Sequence, residues 1–158
     1  MIALLQRVST AEVLVDGERV GAIDAGLLAF VGVRKDDRER DAERLVERVL
    51  GYRMFPDGNG RMNRSLADTG GGLLAVPQFT LSADTRKGTR PGFSTGAHPG
   101  VARKLFEHFL AVAAAHHPVV EAGRFGERMQ VRLCNEGPVT FWLESRGPGG
   151  GTEPEATG

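Results

Sequence analysis

The chain contains a nearly unbroken apolar run, Leu27-Leu28-Ala29-Phe30-Val31-Gly32-Val33, directly after Gly26. A half-exposed strand alternates apolar and polar residues, and this run does not, so it predicts a strand that is covered on both faces. The run Leu73–Val76, which follows three consecutive glycines, predicts a second buried strand. We therefore expect these two strands near the centre of a sheet that has cover on both sides.

Two amphipathic helices are predicted beside these strands. The first begins where Asp36 and Glu39 resemble a capping box, and it stops at Gly51. Proline suits the first turn of a helix, so the second begins at Pro99, and it stops before Pro118. Apolar residues recur at helical spacing in both, at Ala42, Leu45, Val46, Val49 and Leu50 in the first and at Ala102, Leu105, Phe106, Phe109, Val112 and Ala113 in the second.

Strand pairs are predicted near both ends of the chain. Because Asp16–Gly17 tolerates the positive φ of a tight turn, Val13–Val15 and Arg19–Ile23 are expected to form a hairpin. A turn at Asn135-Glu136-Gly137-Pro138 would join two late strands, and the stretch between Pro56 and Gly70 is expected to be a loop. The late strands would carry the alternating apolar residues Met129, Val131 and Leu133, then Val139, Phe141 and Leu143.

Length and composition favour one domain without a membrane segment. The 158 residues are 41% hydrophobic and 25% charged, with a formal net charge of zero, which argues against nonspecific nucleic-acid binding through a basic excess. No apolar run is long enough for a membrane span or a signal peptide, so a soluble, cytoplasmic protein is expected. The domain is expected to cover residues 1–145, and residues 146–158, rich in glycine and small or acidic residues, to form a disordered tail.

Several classes of site are excluded by the residue inventory. Cys134 is the single cysteine, so there is no internal disulfide and no cysteine-rich zinc site, and its place in a strand predicts a buried, inert thiol. The motifs of nucleotide-binding loops, zinc proteases and serine hydrolases do not occur. His108, His116 and His117 lie on or at the end of the second predicted helix, where surface or helix-end roles are favoured. We expect neither a metal nor a cofactor.

Two segments carry the candidate chemistry. The first is Val76–Asp84, where a buried strand runs directly into polar residues, a common place for a binding site. The second is Asn135–Phe141, although a Gly-Pro step is by itself an ordinary turn. The irregular stretch Thr85–Gly100, which includes His98, is longer than a simple connection requires and is typical of functional loops.

Together these segments resemble the bacterial D-aminoacyl-tRNA deacylases, enzymes that hydrolyse D-amino acids from mischarged tRNA. The resemblance extends from Met1 to about Leu143. It rests on an ordered series of matches: Met1–Val8, Glu47–Arg53, Met62-Asn63, Gln78-Phe79-Thr80-Leu81, Arg90-Pro91-Gly92-Phe93-Ser94 and Asn135-Glu136-Gly137-Pro138-Val139-Thr140.

The resemblance implies a single α/β domain of three layers, α/β/β, with two barrel-like β-sheets and flanking helices. It also implies a homodimer with its active sites at the subunit interface. Gly137-Pro138 would be a Gly-cisPro pair that enters the partner's pocket, held across the interface by Arg7. Two parallel carbonyls there would accept hydrogen bonds from the substrate's ammonium and leave no room for an L side chain. The enzyme would then proofread the chirality of the amino acid while accepting many D-amino acids and glycine.

For catalysis, the resemblance leaves two mechanisms open. Thr80 would act as a nucleophile, which needs an activating base that the sequence does not clearly supply. Alternatively, the 2′-hydroxyl of the terminal adenosine would assist water, while the backbone amides of Phe79 and Thr80 stabilise the oxyanion; we favour this second mechanism. Gln78 and Phe79 would then shape the adenosine pocket, and Phe93 would also contact substrate.

Two further expectations concern tRNA and one departure from the family. Arg86, Lys87 and Arg90 are candidate phosphate contacts to the acceptor stem. The family usually has serine where this chain has Pro77, which removes a hydroxyl and a backbone donor together. If this loss matters, the alternative function is a catalytically silent nucleic-acid-binding dimer on the same scaffold. A separate alternative is a threonine-nucleophile hydrolase of small esters, which would use Thr80.

Overall fold

The computed structural model describes residues 1–146. Its elements are β1 (Ile2–Val15), β2 (Glu18–Ile23), β3 (Gly26–Gly32), α1 (Glu39–Gly51), β4 (Phe55–Pro56), β5 (Met62–Arg64), α2 (Leu66–Thr69), β6 (Gly72–Pro77), a short 3₁₀ helix (Phe79–Ser82), α3 (Pro99–His116), β7 (Val120–Ala122) and β8 (Gln130–Glu144). The predicted tail lies outside the described residues from position 147 onward.

Six of the strands form one strongly curved sheet, in the order β2-β1-β3-β6-β7, with β8 paired to the other side of β1. β1 is long enough to pair antiparallel with β3 along its first half, with β2 along its second half and with β8 along most of its length. β3 and β6 run parallel because α1 and α2 lie between them in the chain. The sheet nearly closes into a barrel, since a Cβ added at Gly21 in β2 would lie 2.7 Å from the Ala122 carbonyl oxygen in β7.

The two apolar runs are buried on both faces because the sheet separates two cores. Leu27 and Leu73 face the helices, in a cluster that includes Leu45 of α1 and Phe109 of α3. The next residues along the chain, Leu28 and Leu74, face a second cluster inside the barrel. Helices, near sheet and far side of the barrel are thus stacked in three layers, and the predicted α/β class and central strands are confirmed.

Both predicted helices are present, although the first begins two residues later than its expected cap allows. The backbone N–H of Arg38 donates to the Asp41 carboxylate at 2.8 Å, so Asp41 and not Glu39 closes the first turn. Asp36 therefore lies outside the helix, and the predicted capping box is wrong. α3 starts at Pro99 as expected, and the His98 ring nitrogen Nδ1 accepts from the Gly100 N–H at 3.2 Å.

Three expectations about the chain's later segments are corrected. The stretch 56–70 is not a plain loop, because it contains the small β4-β5 sheet and the helical turn α2. The late hairpin is wrong: β8 is one continuous strand, since its whole length follows β1. Cys134 is exposed rather than buried, because it lies in the first part of β8, whose side chains are mostly outside the core.

The two ends of the described chain meet beside α1. The Met1 ammonium is buried and donates to Asp37 at 2.7 Å and to the Ser145 hydroxyl at 2.6 Å. Arg146, which the sequence assigns to the tail, donates to both carboxylate oxygens of Asp41, at 2.8 and 2.6 Å. No helix within residues 1–146 is both long and apolar enough to cross a membrane.

Candidate active site

A cavity of about 720 Å³ opens at the carboxyl end of β6. One wall is the end of β6 and the 3₁₀ helix, the second is the loop before α3, and the third is the segment between β7 and β8. Most of its lining is apolar, and Glu127 is its one acidic residue. The residues that define these walls include Val76, Gln78, Phe79, Phe93, Ala97 and Met129.

The 3₁₀ helix presents the most exposed residues of this wall. The Gln78 N–H completes the ladder by donating to the Val31 carbonyl at 2.8 Å, after which the chain leaves the sheet. Phe79 and Thr80 occupy the first positions of the 3₁₀ helix, where backbone N–H groups have no partner within the helix. Phe79 is 66% exposed and Phe93 is 51% exposed, and their ring centroids lie 5.4 Å apart.

Pro77 lies where its missing donor costs no strand pairing. Along β6, the backbone N–H and C=O groups of the odd-numbered residues point toward β7, as the bond from Gly123 N–H to the Ala75 carbonyl shows. The next odd position is Pro77, and β7 has already ended at Ala122. Proline at this position, where the resemblance leads us to expect serine, is therefore compatible with the sheet, since proline is tolerated at strand ends.

The basic loop after the 3₁₀ helix is partly folded on itself. Asp84 and Gly92 form an antiparallel bridge across its base. Arg86 donates through two nitrogens to the Asp84 carboxylate, at 2.8 and 2.7 Å, and this pairing holds the pKa of Asp84 well below its usual range. Lys87 and Arg90 are exposed and take part in no ion pair with another described residue, so the three predicted tRNA contacts are not equivalent.

Gly137 and Pro138 lie on an exposed bulge of β8. The register advances two residues along β1, from Gln6 to Val8, while β8 advances five, from Thr140 to Asn135. The Asn135 side chain closes this bulge, accepting from the Val139 N–H at 2.9 Å and donating to the Thr140 hydroxyl at 3.1 Å. The Gly137–Pro138 peptide bond is cis.

Arg7 fixes the bulge from the neighbouring strand. Its Nε donates to the Glu136 carbonyl at 3.0 Å and its Nη1 to the Met54 carbonyl at 2.8 Å. The guanidinium thus joins the bulge of β8 to the segment after α1, and it lies against Gly137, where an added Cβ would be 3.2 Å from Nη2. Within one chain, Arg7 thus bonds to Glu136, beside the Gly-Pro step, and the expected role of Arg7 across a subunit interface stays a prediction.

Apart from the three residues of the basic loop, the predicted site residues form two groups. Gln78, Phe79 and Phe93 line the cavity, with Thr80 beside them, whereas Gly137 and Pro138 on the bulge and Arg7 bonded to it do not line the cavity. Sequence reasoning missed the third wall, from Phe125 to Met129, because it comes from a segment nearly fifty residues further along the chain. It also did not single out Ser82. The available indication was that Ser82 carries a hydroxyl and lies within the candidate segment Val76–Asp84.

A second concave surface lies apart from this site. A more open groove of about 750 Å³ runs between β2 and the start of β8, lined by Glu12, Arg19 and Arg132 among others, and it contains none of the predicted residues. Within the described range 1–146, no three His, Cys, Asp or Glu side chains are grouped as a metal site would require.

Comparison with known proteins identifies the family. The sequence model of the D-Tyr-tRNA(Tyr) deacylases matches residues 4–144. The chain belongs to this family. It is 62% identical over 144 residues to a D-aminoacyl-tRNA deacylase of Thioalkalivibrio sulfidiphilus, covering 91% of this chain and 97% of that protein. It is 57% identical to the D-aminoacyl-tRNA deacylase of Vibrio cholerae, covering 92% of this chain and all of the relative.

Two solved structures share the fold of this chain. The c-Myc DNA Unwinding Element Binding Protein superposes with a TM-score of 0.89 at 34% identity, covering 93% of this chain and 100% of that one. A probable eukaryotic D-amino acid tRNA deacylase superposes with a TM-score of 0.79 at 19% identity over 90% of this chain, which shows a shared fold. The family's most specific segments fall on the cavity wall and on the bulge.

Proposed function

We propose that this protein hydrolyses the ester bond between a D-amino acid and tRNA, releasing free D-amino acid and tRNA. The observation that carries the proposal is that Gln78-Phe79-Thr80, which lies within the range that the deacylase family model matches, borders a cavity of about 720 Å³ at a strand end. Such an enzyme proofreads translation, so the proposed location is the cytoplasm.

The primary test is hydrolysis of D-tyrosyl-tRNA and L-tyrosyl-tRNA by the purified protein with a chelator present. Release from the D substrate alone is expected. Release from neither, by folded protein that still binds tRNA, would favour the silent nucleic-acid-binding function, and loss of activity with chelator would contradict a metal-independent ester hydrolase. The proposed achiral substrate is tRNA(Ala) mischarged with glycine. A site that excludes an L side chain still admits glycine, which has only hydrogen at that position.

For the chemical step, we propose catalysis assisted by the substrate's own 2′-hydroxyl. Thr80 is exposed, and His98, the histidine of the cavity wall, already uses its Nδ1 to cap α3. A threonine nucleophile needs an adjacent base, whereas the Phe79 and Thr80 amides supply oxyanion donors without one. Thr80→Ala should therefore retain most activity, and a substrate ending in 2′-deoxyadenosine should be hydrolysed at least about a hundredfold more slowly.

For chiral selection, we propose a homodimer in which the bulge of one subunit enters the cavity of the other. The bulge is exposed, bonded to Arg7 and absent from the lining of the cavity in its own chain, so in this proposal a second copy brings it to the cavity. The experiment mixes a bulge variant, Gly137→Ala, with a cavity-filling variant, Ala97→Trp, after confirming that each folds.

Subunit exchange distinguishes the two arrangements. If the bulge acts across the interface, half of the randomly mixed dimers regain one intact site, and about a quarter of wild-type activity returns. If bulge and cavity act within one chain, the mixture stays as inactive as its components.

For tRNA binding, we propose that Lys87 and Arg90 contribute more than Arg86, because Arg86 is already paired with Asp84. Replacing Lys87 or Arg90 with glutamine should raise KM and reduce the salt-dependence slope by about one unit each. Arg40→Gln, on the exposed face of α1, is the control. Equal effects of these three changes and of Arg86→Gln would show that no local contact exists.

A further inference from the structure

The Ser82 hydroxyl is buried at the edge of the cavity, and the residue is only 6% exposed. It donates to the Phe79 carbonyl at 2.8 Å. The Ser82 carbonyl in turn accepts from the Thr95 hydroxyl, and a Cβ added at Gly96 would lie 3.1 Å from the Ser82 hydroxyl oxygen. The hydroxyl is thus enclosed between the 3₁₀ helix and the loop that follows Phe93.

The Ser82 bond fixes more than one atom. The Phe79 carbonyl and the Thr80 N–H belong to the same peptide group, which is planar and resists rotation about its C–N bond. Carbonyl and N–H point in opposite directions across that plane. A donor that holds the carbonyl therefore also determines where the Thr80 N–H points.

We infer that Ser82 is a positioning residue for the oxyanion-binding Thr80 amide. This inference rests on the proposed function, in which that amide stabilises the developing negative charge. Oxyanion donors act by being oriented before the reaction begins, and the 3₁₀ helix is only four residues long, so a side-chain bond to the Phe79 carbonyl adds to the restraint on the Phe79–Thr80 peptide. Ser82 supplies this restraint from a side chain that does not itself touch the reacting atoms.

The test is Ser82→Ala compared with Ser65→Ala. Ser65 is a matched control because it is also 6% exposed and its hydroxyl also bonds within a helical turn, accepting from the Asp68 N–H at 3.2 Å, far from the cavity lining. Both changes remove one buried hydroxyl, so both should lower the melting temperature. Only Ser82→Ala should lower kcat for D-tyrosyl-tRNA, by about tenfold with KM unchanged, because the loss concerns the transition state.

Ser82→Thr keeps the hydroxyl and should restore kcat at least in part. The inference is overturned if Ser82→Ala leaves kcat unchanged, if Ser65→Ala lowers kcat equally, or if KM rises as much as kcat falls. A folded Ser82→Thr protein with the kcat of Ser82→Ala would contradict it as well. Failure of the proposed function is distinct, since the wild-type protein would then not hydrolyse D-tyrosyl-tRNA at all.

Discussion

Gly137 has a backbone conformation that other residues rarely adopt, with φ at 136°. A Cβ there would lie 2.7 Å from Val139 Cγ2 and 3.0 Å from the Val139 backbone nitrogen. We expect Gly137→Ala to lower the free energy of unfolding by about 1–3 kcal/mol and to displace the bulge. Misplacement of a positioned group by about 1 Å is costly to rate, so kcat/KM for D-tyrosyl-tRNA should fall at least about tenfold.

Denaturant unfolding and single-turnover hydrolysis measure these two effects. Gly58→Ala is the control, since Gly58 lies in an exposed turn and has open space where its Cβ would be. Wild-type kcat/KM in a folded Gly137→Ala protein would exclude a role for the bulge in hydrolysis.

Arg7 makes two bonds that a lysine cannot reproduce. Its Nε and Nη1 reach carbonyls in two separate segments, at Glu136 and Met54, and a guanidinium holds such donors in a fixed fork whereas an ammonium is one point. Arg7→Lys should therefore loosen the bulge and reduce the ratio of D to L hydrolysis rates. The check is that ratio compared with Arg19→Lys, an exposed arginine on β2; an unchanged ratio would place chiral selection elsewhere.

At the scale of elements, Pro77 tests whether this chain has lost activity. Pro77 is the last residue of β6, and the neighbouring strand β7 has already ended at this level, so the proline removes no hydrogen bond between strands. We expect Pro77→Ser to change kcat by less than about threefold, because a strand-end proline leaves the fold intact. Steady-state hydrolysis by the two proteins is the measurement, and a large gain of activity in Pro77→Ser would show that the proline had impaired the site.

Elements buried on both faces were predictable from sequence, and elements defined by their partners were not. β3 and β6 are apolar at every position because two cores lie on either side of them, so their pattern alone indicates their place. β8 shows a Gly-Pro break that is compatible with either a turn or a bulge. The fourteen-residue strand β1 decides for the bulge, because it offers pairing along nearly the whole of β8.

The candidate site divides in the same way. Gln78, Phe79 and Thr80 follow a buried strand directly, so local pattern places them at a strand end. The opposite wall around Met129 reaches the cavity only through the curvature of the sheet. Local sequence does not encode that approach, and the exposure of Cys134 escaped prediction because the first part of β8 lies mostly outside the core.

At the scale of the whole molecule, the contact between α1 and the last residue that the structure describes predicts how the fold responds to acid. The Asp41 side chain is 5% exposed and bonded to Arg146, and this bond lowers the pKa of Asp41 to about 2. A carboxyl whose pKa is lower in the folded than in the unfolded state stabilises the fold above its unfolded pKa, and the stabilisation is lost as pH falls toward the folded pKa. The pair should therefore contribute about 2 kcal/mol at neutral pH, and this contribution should disappear between about pH 4 and pH 2.

Denaturant unfolding at a series of pH values checks this for the wild type, Asp41→Asn, Arg146→Gln and the double variant. Each single change should remove most of the contribution at pH 7, and the double variant should cost little more than either, since both residues serve one bond. The variants and the wild type should then converge near pH 2. Additive losses, or a difference that persists below pH 2, would show that Asp41 and Arg146 stabilise the fold independently of the ion pair between them.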